Sequence, residues 1–85
     1  MLYKILILKK AKKELEKIDK KYRYKIYASF LILQKDPYFG KKLDGEFDGY
    51  WTYRVWPYRV IYKIRKTEVI VEISRIGHRQ GVYKS

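Results

Sequence analysis

The sequence predicts an α+β fold: a strand, a two-helix hairpin, then a three-stranded antiparallel meander, with the helices packed on one face of the sheet. A short aliphatic run, YKILIL at residues 3–8, gives way to apolar residues at helical spacing from Lys9 to about Asp36. The last third instead carries three β-branched and aromatic runs, WTYRVW, YRVIYKI and EVIVEI. With 85 residues, only about 60% of the unfolded surface is available for burial, so residues 1–85 are read as one domain around one core.

YKILIL has strand length, although its periodicity alone does not separate a strand from a buried helix. From Lys9 onward Ala11, Leu15, Ile18 and Tyr22 recur at helical spacing, with lysines, Glu14 and Glu16 on the other side. Asp19 is suited to cap a second helix, and Ile26, Phe30 and Leu33 carry the period to Asp36-Pro37, where a helix must stop. PYFGKKLDGEFDGY holds three of the five glycines and three acids, the composition of an irregular loop. The three β-rich runs are separated by Trp56-Pro57 and by Arg65-Lys66-Thr67, and consecutive antiparallel strands are the simplest arrangement. The tail SRIGHRQGVYKS has two glycines and no sustained period, which predicts an extended or irregular ending.

Charge narrows the function classes. Against 9 Asp and Glu stand 21 Lys and Arg, a net charge of +12. An excess of this kind favours polyanionic partners such as nucleic acid, or an acidic protein, though it also serves solubility. Residues 1–42 hold 13 basic side chains, 12 of them lysine, whereas five of the eight in residues 43–85 are arginine. Lysine is a hydrated point charge and guanidinium a planar fork that matches phosphate, so the second half is the better place to look for a site. Cysteine is absent and histidine occurs once. Disulfides, thiolate metal sites and a histidine-rich metal cluster are thereby excluded, and no cofactor is expected. LYKILIL is interrupted by Lys4 and followed by KKAKK, too short for a membrane span and wrongly flanked for a signal peptide. A cytoplasmic protein with no membrane partner is the expectation.

YRVWPYRVIY, residues 53–62, repeats Tyr-Arg-Val around Trp56-Pro57. In a hairpin with that pair as a two-residue tip, Val55 opposes Tyr58 and Arg54 opposes Arg59. Directly opposed like charges destabilise a sheet, and an anion bound between them removes the conflict. Alternation puts Thr52, Arg54, Ile61 and Lys63 on one face and Tyr53, Val55, Val60, Tyr62 and Ile64 on the other. The second set is the better core, which leaves the arginine face open. The competing reading is that both arginines snorkel or pair with Glu72. Proline does not fit the second central position of a type I′ turn, so a cis Trp56-Pro57 turn or a longer, register-shifting loop is required.

With these residues in view, the chain resembles the RelE/ParE toxin superfamily, and within it the RelE branch of ribosome-dependent mRNA interferases. The resemblance runs over nearly the whole chain: the strand-helix-helix start, LDGEFDGYW before a basic strand, YRVWPYRVIY, and the ending ISRIGHRQGVY. It implies a RelE-like toxin of a type II toxin–antitoxin system that enters the ribosomal A site, cleaves mRNA and inhibits translation. A small acidic antitoxin and the ribosome with its mRNA are the implied partners, and the toxin alone is expected to be a monomer. Carried over residue by residue, the implied catalytic set is Arg54, Arg59, Arg79 and Tyr83. Thr52 departs from the pattern, because relatives commonly carry a basic residue there; Lys63 or Arg75 are neighbours able to supply the charge.

Metal-independent RNA cleavage by a 2′-hydroxyl needs in-line positioning, charge stabilisation at phosphorus and two proton transfers. The arginines suit the charge stabilisation. Tyr83 serves in proton transfer only if nearby cations lower its pKa from about 10. His78 has a suitable unperturbed pKa but is the better candidate for substrate binding, with Lys63 and Arg75. Ten tyrosines, three phenylalanines and two tryptophans include core rings such as Tyr53, Tyr58 and Tyr62, while Trp51 and Trp56 are free to meet a base or an antitoxin. The alternatives are a ParE-like poison of DNA gyrase that does not use this RNA site, and an inactive relative that only binds antitoxin or nucleic acid.

Overall fold

The computed structural model describes residues 2–78 and Gly81. In chain order the elements are β1 (Lys4–Ile7), α1 (Lys9–Glu16), α2 (Lys20–Lys35), β2 (Lys41–Lys42), β3 (Trp51–Val55), β4 (Tyr58–Arg65) and β5 (Ile70–His78). They form one five-stranded sheet in the order β1-β5-β4-β3-β2, with β1 parallel to β5 and every other pair antiparallel. The predicted meander is its centre. The first strand returns to pair with the last, and the two lysines of β2 add an edge the sequence hid inside an apparent loop.

Both helices cover one face. Ala11 and Leu15 of α1, Ile18 in the link, and Ile26, Phe30 and Leu33 of α2 pack on Val55, Val60, Tyr62, Val71, Ile73 and Ile76 of the sheet. Ile5 and Ile7 add to this core from β1, while Leu6 on the opposite parity is exposed. The helical period is unbroken in the sequence, yet the chain bends at residues 17–19. Asp19 is the N-cap residue of α2 as expected, but through its carbonyl, which accepts from Tyr22 and Arg23 N–H; its side chain makes no cap bond. Asp36 leaves the helix with φ −150° before Pro37, and its carboxylate accepts from Tyr38 N–H at 3.1 Å.

The segment expected to be irregular is ordered by two 3₁₀ turns, Pro37–Phe39 and Gly45–Phe47, on either side of β2. Gly40 is required there by close approach: a methyl group would collide with the Tyr62 hydroxyl and stand 2.6 Å from the Thr52 carbonyl. That hydroxyl donates to Pro37 O at 2.6 Å. Burial pushes its pKa well above the usual tyrosine value despite the opposing effect of the Gly40 amide.

Of the two endings expected for the tail, the extended one holds for its first residues, since Ser74–His78 continue β5. Ile61 pairs with Arg75 and Tyr62 with Ile73, so Ser74 is an extra residue, a β-bulge. The bulge lets Ile73 and Ile76 both point into the core, and this shift of phase is why the sequence shows no period there.

Candidate functional site

The β3–β4 hairpin has the register that the tandem Tyr-Arg-Val repeat implies. Val55 pairs with Tyr58 and Arg54 with Arg59, across a two-residue turn containing a cis Trp56-Pro57 bond. Two cations therefore stand side by side on the sheet face away from the helices, with Gly77 as the next residue across on β5. Arg54 is exposed and Arg59 half-buried. Gly77 itself contributes no side chain beside Arg59.

The rest of this face is not open. Thr52 and Ile61 lie on it yet retain only 5% and 2% of their accessible surface. The chain between β2 and β3 folds over it: Phe47 and Tyr50 share a depression with Ile61, Ser74 and Arg75, and Lys63 Nζ sits 4.7 Å from the Tyr50 ring centre. What remains accessible is the end around the arginine pair, where Phe39, Gly40, Lys41, Thr52, Tyr53, Arg54 and Arg59 line a cavity of about 360 Å³. Among the described residues lining it none is acidic.

The other expected residues separate. Arg75 is held by Glu14 of α1, with its Nη2 and Nε 3.0 and 3.1 Å from Oε2, and Glu14 Oε1 also accepts from Ile76 N–H at 2.9 Å. Glu14 thus caps the stretch of β5 that outruns β1. Glu72 pairs with Arg65 at 2.6 Å, not with the opposed arginines, and holds that guanidinium's pKa above its ordinary value. His78 pairs with Tyr58 on the parity of the helices, their rings 5.9 Å apart. Trp51, expected to be free, packs on the core beside Tyr38 with ring centres 5.4 Å apart; Trp56 at the turn is exposed. Arg79 and Tyr83 lie outside the described residues.

Sequence reasoning missed Lys41. It pairs with Thr52 across β2–β3, which sets it on the face of Arg54 and beside the position where a basic residue was expected. Thr52 itself is a buried hydroxyl whose Oγ1 has no hydrogen-bond partner among the described residues. The available signal was the dipeptide Lys41-Lys42 between Gly40 and Leu43, too short to be read as a strand. No group of three His, Cys, Asp or Glu able to hold a metal ion occurs among the described residues, and no helix there is long and apolar enough to cross a membrane.

Fold and cavity together define a small α+β protein that presents a cationic patch on the sheet face away from its helices. The chain belongs to the ParE toxin family: residues 5–83 match the family described as the ParE toxin of the type II toxin–antitoxin system parDE. A search of curated proteins gives no match. Among solved structures, the RelBE2 toxin–antitoxin complex of Mycobacterium tuberculosis contains a chain with a TM-score of 0.87 and 26% identity, covering 93% of this chain and 100% of that one. The archaeal RelE–RelB complex of Pyrococcus horikoshii gives 0.81 and 25%, over 96% and 100%. The isolated RelE toxin of E. coli gives 0.79 and 20%, over 89% and 83%. The protein is thus a type II toxin of the RelE/ParE superfamily, in its RelE branch.

Proposed function

We propose that this toxin is a ribosome-dependent endoribonuclease that cleaves mRNA in the A site and so inhibits translation in the cytoplasm. The observation that carries the reading is the Arg54–Arg59 pair, opposed in register beside a cavity whose described lining has cations and no acid. Such a pair works against the sheet when empty and holds a phosphate as preorganised donors when filled. The substrate 2′-oxygen attacks phosphorus, its proton passes to a base, and the P–O5′ bond breaks as O5′ takes up a proton. The products are a 2′,3′-cyclic phosphate and a 5′-hydroxyl. Arg54 and Arg59 stabilise the charge developing on the phosphoryl oxygens, and Arg79 and Tyr83 are proposed, from the resemblance, to contribute charge and proton transfer.

An antitoxin partner follows from the family and from the toxin–antitoxin complexes in which its structural neighbours occur. The helix side supports such a partner: Tyr24, Tyr27 and Leu31 lie exposed along α2 beside the unpaired edge of β1. With the chain at +12, an acidic antitoxin is the complementary choice.

Translation of a defined mRNA with added protein, with cuts mapped by primer extension, tests the reading. Cuts that require ribosomes and vanish in Arg59→Ala and Tyr83→Phe are the expected result. Intact mRNA overturns it. A gyrase poison is the second reading, favoured by the ParE name of the matching family, and loss of supercoiling activity with mRNA intact would establish it instead.

A further inference from the structure

The cavity beside the arginine pair has features that charge stabilisation at one phosphate does not use. β2 pairs only with Trp51 and Thr52, so along Tyr53–Val55 the edge of β3 has no neighbouring strand, and the chain before Lys41 swings away to leave a cleft. Gly40, pressed against Tyr62 and Thr52, fixes where that chain turns. Its neighbour Phe39 is thereby held at the rim, 61% exposed, with its ring 6.1 Å from that of Tyr53 and tilted by 37°. An apolar ring of this size kept in solvent on a fixed backbone is costly for folding and useful for stacking. Lys41, on the face of Arg54, adds a third cation to the lining of the same cavity. The volume, about 360 Å³, is in the range of small-ligand sites.

We infer that this cleft is a single-nucleotide subsite for single-stranded RNA, in which Phe39 stacks on one base and Lys41 holds that nucleotide's phosphate next to the one gripped by Arg54 and Arg59. Phe39 and Lys41 are then positioning residues. They fix which nucleotide of the message lies over the arginine pair without touching the reacting atoms. The inference rests on the nuclease reading for its substrate, but the binding it describes needs no cleavage.

A fluorescein-labelled 2′-O-methyl RNA pentamer, which lacks the attacking hydroxyl, separates the two. Its affinity for the purified chain is measured by anisotropy between low and moderate salt, with thermal melts to show that each variant is folded. Phe39→Ala is expected to weaken binding about tenfold with an unchanged salt slope, and Phe39→Trp to restore it. Lys41→Gln is expected to reduce the slope of log affinity against log salt by about 0.7, the share of one phosphate contact on a single strand. No binding by the wild type, or wild-type affinity and slope in both variants, overturns the subsite even if mRNA is still cut. Pentamer binding that depends on Phe39 and Lys41, with no cleavage in translation, leaves the subsite standing and removes the nuclease.

Discussion

Among the described residues, four arginines on one face of the sheet divide into two pairs with different surroundings. Arg65 and Arg75 each lie against a carboxylate, Glu72 at 2.6 Å and Glu14 at 3.0 Å. Arg54 and Arg59 lie against one another, on a cavity with no acid among its described lining residues. The first two charges hold the sheet to a helix and to itself, and the second two line the cavity at the other end of the face. Phe47 and Tyr50 cover the half of the face that contains Ile61 and Arg75, and the half with Arg54 stays accessible.

The contrast breaks most visibly in activity. Arg54→Ala or Arg59→Ala is expected to lower ribosome-dependent cleavage about 10²–10³-fold, the usual effect of losing one preorganised donor to a developing oxyanion, as measured by primer extension. Arg65→Ala should leave the rate near wild type. Glu14→Ala acts on stability instead: it removes the carboxylate that accepts from the Arg75 guanidinium and from the Ile76 N–H, costs about 2 kcal/mol and lowers Tm by about 10 °C in a thermal melt.

Next in size is the alkaline limb. Tyr62 has a raised pKa in the folded protein, so its contribution is complete below its ordinary value of about 10 and is lost as pH rises through the folded value. Urea melts above pH 10 should show stability falling more steeply in wild type than in Tyr62→Phe, which has nothing to ionise. At neutral pH that variant should be weaker by about 1–2 kcal/mol, because Pro37 O loses its donor. Smaller still, and opposite in sign, Arg54→Ala should raise stability by about 0.5 kcal/mol by removing a like-charge pair, a gain that added salt erases. Thr52→Val should be neutral or slightly stabilising in the same melts, since it replaces a hydroxyl without a hydrogen-bond partner among the described residues by a methyl of similar shape.

The parts of this arrangement legible in the sequence are those with a local period. Tyr-Arg-Val twice around Trp56-Pro57 points to the hairpin, and to the opposition of Arg54 and Arg59 if the tip is two residues long; the cis bond at Trp56-Pro57 decides between that tip and a longer loop. Ala11, Leu15, Ile26, Phe30 and Leu33 declare the covered face by helical spacing. Features set by a single contact were not legible. β2 is two lysines long, and nothing local says that Glu14 rather than a nearer acid will reach Arg75 across 61 positions. Lys41 was missed for that reason: its neighbour across the strands, Thr52, is joined to it only by tertiary pairing.

The extra residue in β5 bears on how this strand tolerates change in length. Since Ser74 is the residue left over when Ile61 meets Arg75 and Tyr62 meets Ile73, a chain without it would alternate regularly from Ile73 through Arg75 to Ile76 and keep each on its present side. A one-residue deletion at Ser74 is therefore the mildest the strand can suffer. A deletion one pair further on, at Gly77, carries His78 across to the face of the arginines.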